Sequence, residues 1–544
     1  MRTMMDYISR ICLSGILLLA MNLSVLAQGG PGENSFSTEV QAQLQKVLND
    51  YVSNPANGYV GGMSAAIKID DLASWQGAAG YASRYVNEYL QPIDAGEPFS
   101  VNTPSQIYSV TKTFTAALVL ELVKEGVLSL DAPISKYIDL EEVNPLLNDV
   151  TIHQLLAHET GYTDFWFEPV LIGTVAQFPE MEWDSEDALA LVHQGELEPG
   201  VRSYSSTNYI MLGYIVEQVT SIKIEDHFRE RFFGPLDLNT MYLGGREDAP
   251  PGNAPLAAPH DNLSRLGLPG APPYTTNLSF MISFDGIRSL AFTSGGIIST
   301  VGDLAEWGSA LFGGEATSKE TLRAMLNSID KQPDEDGDYL GYGLWRSTRI
   351  SETETFIGHD GNAPGYRSVM FYQPERRLTI AILANDNSAK VYELAKALFE
   401  VLLEDFYCGN DDAPRKIELC HNGKVICVDY PAAVNLVQKG AALGVCPLTV
   451  KPGQASGKLT HLRVHPNPVD NRTMISFVPE QSGQVTLQLY DVNGMLKQIL
   501  FEGAVEKGVM KQVTLERGTL KGGVYFVRLQ TAAGISQHKI VLNR

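Results

Sequence analysis

The stretch "YSVTKTFTA", residues 108 to 116, sets a serine three residues ahead of a lysine at the head of a long apolar run. Positions i and i+3 share one face of a helix, so Ser109 and Lys112 can meet within hydrogen-bond reach. From Phe114 to Val123 the only polar residues are Thr115 and Glu121, which predicts a helix buried nearly all round. Gly126 follows as its stop signal. A lysine on such a helix is desolvated, which disfavours the ammonium and makes the neutral amine a proton acceptor near physiological pH. A serine at the helix start sits in the positive end of the dipole, with its own N–H free to face an oxyanion. These are the needs of acyl transfer. The same residues also permit an ordinary helix start, with Ser109 as cap and the Lys112 head group extended to water. Spacing alone does not choose, because it recurs at Ser328/Lys331 and Ser536/Lys539; only the first pair opens a long helix.

Two further motifs follow in order. "YSSTNYIMLGYIVEQV" carries Tyr204, Ser206 and Asn208 ahead of another apolar helix, and "FIGHDGNAPGYRSVMFY" places His359-Asp360-Gly361 just before a strand. Together with Ser109 and Lys112 they resemble the serine β-lactamase and penicillin-binding protein superfamily. The likeness is strongest to the class C β-lactamase and D-alanyl-D-alanine carboxypeptidase branch, where the second motif starts with Tyr and His-x-Gly can stand for Lys-Thr-Gly. It extends to "LVKEGVLSLDAPISKYI", "VTIHQLLAHETGYTDF" (150 to 165), "TSGGIISTVGDLAEWGSALF" (293 to 312) and "YGLW" (342 to 345), over roughly residues 40 to 405. The fold it implies is an antiparallel sheet flanked by helices, with a helical subdomain.

The resemblance implies that Ser109 is acylated, that Lys112 and Tyr204 share its proton, and that the backbone N–H groups of Ser109 and Asn362 form an oxyanion hole. Ser206 and Gly361 would contact the substrate, His359 would support Tyr204 or a substrate carboxylate, and water would release the acyl group. No cofactor is implied. Two departures stand out. Ser206 occupies a position where Asn is common, and His359 replaces a permanent cation by a ring that titrates near pH 6.5, so activity is expected to weaken as pH rises through that range. Arg367 reads as a surface arginine on a strand, His158 as a buried, hydrogen-bonded side chain, and Gly295 and Gly296 as sites of close backbone packing near the cleft. The acyl donor is left open between a D-alanyl peptide, a β-lactam and an ester. An esterase of the same fold, or a surface module that binds without turnover, are the alternatives.

These residues need a scaffold that brings distant segments together. Val40, Leu44, Val47, Leu48 and Tyr51 mark one helical face, residues 63 to 69 and 74 to 83 read as strands, and strand signals return in "YRSVMFYQP" and "RRLTIAILAND" before a closing helix in "AKVYELAKALFEVLLEDFY". A sheet built from both ends of a domain at 37–406 follows. At 544 residues and 44% hydrophobic content the chain exceeds one core. A net charge of -22 argues against nucleic acid.

The first 27 residues, with Arg2 and Arg10 before an apolar stretch and Val25 and Ala27 at its end, read as a cleaved signal peptide that takes Cys12 with it. No later run is long enough to be a permanent transmembrane segment, so a secreted or outer-surface protein is expected. Cys408, Cys420, Cys427 and Cys446 fall in one segment, 407–448; in an exported chain they favour two local disulfides with three possible pairings, ahead of a zinc site, and the segment reads as a stapled spacer. A linker at 449–460 leads to alternating strands from 461 to 544, with Asn493-Gly494 as a hairpin turn: a small all-β sandwich. "VHPNPV", "LYDVNGM", "LKGGVYFVRL" and "HKIVLNR" resemble the C-terminal sorting domain of type IX secretion substrates, which implies that secretion machinery as a partner.

Overall fold

The computed structural model describes residues 36–542 apart from 265–273, 409–415, 444–460 and stretches of one to three residues. The expected signal peptide, Cys12, Cys446, the 449–460 linker and the Asn493-Gly494 turn lie outside the described residues. The chain divides into two compact units, Met1–Cys446 and Pro447–Arg544.

The first unit is built on an eight-stranded sheet. Its strands are β1 (Gly62–Ile69), β2 (Ala73–Val86), β3 (Pro92–Pro98), β4 (Tyr339–Leu340), β5 (Trp345–Ser347), β6 (Phe356–Ala363), β7 (Tyr366–Gln373) and β8 (Leu378–Ala384), in the order β3-β2-β1-β8-β7-β6-β5-β4. The two ends of the domain meet where β1 pairs antiparallel with β8, Met63 opposite Ala384 and Ile69 opposite Leu378. Both faces of these central strands are covered, which is why they read as unbroken apolar runs. On one face Met63, Ala65, Ile67, Ile380 and Ile382 join Val40, Leu44 and Leu48 of helix α1 (Thr38–Ser53) and Leu394, Leu398 and Leu402 of the closing helix. On the other, Ala66, Ala381 and Leu383 join the larger core that contains the helix following Ser109.

That helix, α2 (Thr111–Lys124), is buried along nearly its whole length, as its composition predicts. Phe114 stacks on Trp307, ring centroids 3.7 Å apart, and is ringed by Phe228, Phe232 and Phe233. Burying each such side chain is worth about 1.5–3 kcal/mol, so α2 is held by packing on all sides rather than by one amphipathic seam. Trp307 Nε1 donates to Thr113 Oγ1 at 2.8 Å, and Thr115 donates to the Thr293 carbonyl at 2.8 Å. The helix stops at Gly126, whose φ of +78° is the left-handed conformation that glycine adopts without strain.

The cysteine segment does not stand apart as a spacer. Its short strands and the helix Tyr430–Gln438 send Ile417, Leu419, Ala433, Val437 and Leu443 into the same core as α1. Ile417 and Leu419 alternate as on a half-buried strand, and Ala433 and Val437 lie one helical turn apart on one face. A disulfide joins Cys408 to Cys427, and Cys420 is disulfide-bonded as well.

The second unit is a sandwich. A three-stranded sheet of His461–His465, Arg472–Val478 and Lys511–Glu516 and a four-stranded sheet of Gly483–Asp491, Leu496–Val505, Gly523–Thr531 and Gly534–Leu542 share one core. Ile475 and Phe477 from one sheet pack with Leu487, Leu489, Val527 and Leu529 from the other, the inward half of the alternation seen in sequence.

Candidate active site

Ser109 lies in a single 3-10 turn, Tyr108–Val110, that feeds α2. The turn is bent sharply at Tyr108, whose φ of +42° is unusual for a side chain with a Cβ. The strain is offset by anchoring: the Tyr108 hydroxyl donates to the Pro364 carbonyl at 2.8 Å, and its ring meets Trp166 and Tyr366 edge-on.

Lys112 is fully buried, and its Nζ stands 3.0 Å from Ser109 Oγ, 2.8 Å from the Ser294 carbonyl and 3.5 Å from Ser206 Oγ. The amine therefore does not reach solvent. Desolvation pulls its pKa down to about 7, against a partial upward pull from the Asp164 and Asp360 carboxylates. A neutral fraction is thus present at neutral pH. The Ser294 carbonyl comes from helix α4 (Asp285–Gly295), whose backbone leaves helical geometry at Phe292 just before Ser294.

Tyr204 and Ser206 arrive on the segment that starts helix α3 (Thr207–Thr220), with Ser206 as its N-cap. Lys112 Nζ lies 5.0 Å from the centre of the Tyr204 ring. Burial pushes the Tyr204 hydroxyl well above its ordinary value, so it is a neutral phenol at rest; Ser109 lies close enough to favour its ionised form, though no hydrogen bond of normal geometry closes between them. The phenol ring stacks on His158, centroids 4.4 Å apart, and sits 6.3 Å from the His359 ring and 5.9 Å from Trp345. His158 is buried with Nδ1 3.1 Å from the Ser205 carbonyl, the supporting part read from sequence.

His359, Asp360 and Gly361 precede the expected strand, β7, and also lie inside a strand of their own, β6. Gly and Asp are poor strand formers, which hid the strand; the antiparallel ladder to β7, His359 opposite Met370 and Gly361 opposite Ser368, supplies what propensity lacks. Alternation then sends His359 and Gly361 to the cleft side. Asp360 goes to the opposite side, where Arg349, Arg367, Asp338 and Tyr392 surround it and burial raises its carboxyl to about 6. Arg367 belongs with Asp360 and not with Ser109.

The expected titration of His359 near pH 6.5 is corrected. Its ring is 1% exposed, and burial beside Lys112 pushes its pKa down to about 3. Its Nδ1 stands 2.6 Å from the Asp360 carbonyl. A carbonyl only accepts, so Nδ1 carries the hydrogen and Nε2 is left as a buried acceptor. The ring is neutral across the working range, and of the groups that face Ser109 the one that titrates near neutrality is Lys112.

Gly361 shows why the third motif needs glycine. A Cβ there would lie 2.2 Å from the Ile107 carbonyl and 2.4 Å from Ser368 Oγ, so β6 approaches the start of the Ser109 turn backbone to backbone. Gly296 is also tightly packed, its Cβ position 2.7 Å from the Phe292 carbonyl, whereas at Gly295 a Cβ would make only ordinary contact, 3.4 Å from the Tyr108 backbone. Gly361→Ala is expected to displace β6 from Ser109, lowering kcat by about 100-fold and the unfolding temperature as well because the clash is with backbone, checked by steady-state kinetics and thermal melts on one preparation.

Three residues that meet the site were not singled out in sequence: Asp164, Ser294 and Trp345. Each sits inside a phrase that carried the family resemblance, but nothing in its local sequence marks it, because each acts through a neighbour from another segment.

The Beta-lactamase family model matches residues 49–403. The chain belongs to that family. The model for the secretion system C-terminal sorting domain matches residues 463–543, which makes the protein an exported one, secreted or on the cell surface. Among the described residues no helix is long and apolar enough to cross a membrane. Similar family members include penicillin-binding protein 4* of Bacillus subtilis, 24% identical over 55% of this chain and 64% of that protein. A D-aminopeptidase of Cereibacter sphaeroides is 24% identical over 63% of this chain and 60% of its own length. The chain thus spans less than two thirds of these curated relatives. Among solved structures, a D-stereospecific amidohydrolase from Streptomyces sp. aligns with TM-score 0.53 at 25% identity, over 65% of this chain and 97% of the other. The D-amino acid amidase from Ochrobactrum anthropi SV3 with D-phenylalanine shares the fold, with TM-score 0.55 at 24% identity over 67% of this chain and 99% of that one.

Proposed function

We propose that this chain is an exported serine hydrolase that works through an acyl-enzyme on Ser109, with an amide or ester of a D-amino acid as its donor. The observation that carries the reading is the dry Lys112 amine 3.0 Å from the Ser109 hydroxyl, held near neutrality by burial. Its lone pair takes the hydroxyl proton as Ser109 Oγ bonds to the substrate carbonyl carbon, and the carbonyl electrons move onto oxygen. That oxyanion is received by the N–H groups of Ser109 and Asn362; one such donor is worth about 3 kcal/mol in the barrier. As the tetrahedral centre collapses, the scissile bond breaks and the proton passes from Lys112, by way of the Tyr204 hydroxyl, to the leaving nitrogen or oxygen. Water then repeats the sequence against the acyl-enzyme, and Ser109 regains its hydrogen.

Lys112 rather than Tyr204 is the base at rest, since burial lowers the one and raises the other. His359, being neutral, offers no charge to a C-terminal carboxylate, which disfavours a carboxypeptidase and favours amide and ester donors. The relatives named D-aminopeptidase and D-stereospecific amidohydrolase support the same class. The C-terminal unit would deliver the enzyme through a type IX secretion machinery.

The test is a panel of D- and L-amino acid amides, short nitrophenyl esters, a D-Ala-D-Ala peptide and nitrocefin, quenched early and read by intact-protein mass. D-amino acid amides and esters are expected to turn over and to add the acyl mass to the Ser109 peptide. Turnover of the D-Ala-D-Ala peptide alone would reverse the substrate assignment, and no adduct with any donor would leave a binding module.

A further inference from the structure

Ser206 takes the place of an asparagine that is common in the second motif, and its hydroxyl alone could not hold an amine in one orientation. We propose that Asp164 is the positioning residue that does so, fixing the Ser206 hydroxyl as acceptor for one Lys112 N–H so that the amine lone pair is left aimed at Ser109. The inference rests on the reading that Ser109 and Lys112 carry the chemistry.

A neutral amine has two N–H donors and one lone pair, so each of its partners must take a definite one of the three. The Ser294 carbonyl, 2.8 Å away, accepts one N–H because a carbonyl can do nothing else. Ser206 Oγ, 3.5 Å away, accepts the second only if its own hydrogen points elsewhere. Asp164 supplies the elsewhere: its Oδ2 accepts the Ser206 N–H at 2.9 Å, and the Ser206 side chain lies close enough to this carboxylate to favour its ionised form, though no hydroxyl bond of normal geometry closes between them at rest. A carboxylate accepts only, so a Ser206 hydrogen drawn to it fixes the direction of each hydrogen in the chain Asp164–Ser206–Lys112, and the remaining lone pair faces Ser109 Oγ at 3.0 Å. Asp164 is itself fixed, since its Oδ1 accepts the Trp166 N–H at 3.1 Å. Burial raises the Asp164 carboxyl, and the Ser206 and Trp166 N–H groups and Lys112 oppose that rise. Asp164 touches neither substrate nor the reacting atoms; it acts through Ser206.

An asparagine in place of Ser206 would need no such partner, because its amide oxygen accepts from Lys112 without a hydrogen to dispose of. This gives a test in the full-length protein, using single-turnover acylation by an activated nitrophenyl ester. Asp164→Asn and Ser206→Ala are each expected to slow acylation about tenfold, and the double variant to be no slower than the worse single one, because both remove the same link. In the Ser206→Asn background, Asp164→Asn is expected to change the rate by less than about twofold. A purely structural Asp164 would cost the same in either background, so this comparison decides even if Asp164→Asn lowers the melting temperature. Losses that multiply, or an undiminished Asp164→Asn effect in the Ser206→Asn background, overturn the inference. Ser109→Ala is the separate control: acylation at the wild-type rate there would overturn the Ser109 reading itself, whereas a dead Ser109→Ala with multiplicative losses overturns the Asp164 link alone.

Discussion

Ser109→Ala is expected to reduce turnover of every accepted donor by at least about 10⁴-fold, leaving only what the oxyanion donors and binding contribute with water as nucleophile. The structure makes this variant clean. Ser109 is one of three polar partners of Lys112 Nζ, and the other two, the Ser294 carbonyl and Ser206 Oγ, remain in place. Removing one oxygen from a turn pinned by Tyr108 leaves α2, Phe114 and Trp307 untouched, so the thermal midpoint should stay within about 1 °C of wild type for a domain of this size. Stopped-flow burst amplitude together with calorimetry checks both halves. Retained turnover with a wild-type melt would remove the covalent mechanism, whereas lost turnover with a much lower melt would say only that the turn had unfolded.

Lys112→Met should cost about as much in rate. Methionine matches the length of the lysine stem and leaves no amine to desolvate, but it also strips the buried Ser294 carbonyl of its donor, a loss of about 1–3 kcal/mol that offsets the gain. Lys112→Arg should fail on both counts, since a guanidinium cannot surrender its proton and cannot be buried cheaply. The pH dependence follows from the same burial. Because the neutral amine is the active form, log kcat/KM should rise with unit slope up to about pH 7 and then level. Stability should move in the same sense above that point. The folded chain binds fewer protons at Lys112 than the unfolded chain between about 7 and the ordinary lysine value, so stability climbs with pH across that window, and Lys112→Met should flatten this part of the melting profile. His359→Gln separates the two titratable candidates. With His359 neutral down to about 3, the rate limb near 7 should survive in that variant; its disappearance would return the titration to the histidine.

The chain alone determined the elements of this site and their order. The nearly apolar run from Phe114 to Val123 predicts a helix buried almost all round, and the later motifs, not the spacing, favoured a desolvated lysine in its first turn. Period-two alternation in the last 84 residues dictated a sandwich, and unbroken apolar strands at both ends of the first unit dictated a sheet closed across them. Three quantities belonged to the tertiary structure. The charge state of His359 depends on how much water its neighbours exclude, and those neighbours, Trp345, Tyr204 and Lys112, come from three other segments. The strand at His359-Asp360-Gly361 exists because β7 pairs with it, against local propensity. The hydrogen directions at Lys112 are set by a carbonyl 182 residues away and a hydroxyl 94 residues away, the latter oriented in turn by Asp164. Composition and spacing report what each residue can do; desolvation and hydrogen-bond direction are sums over everything packed around it, and only the folded chain performs that sum.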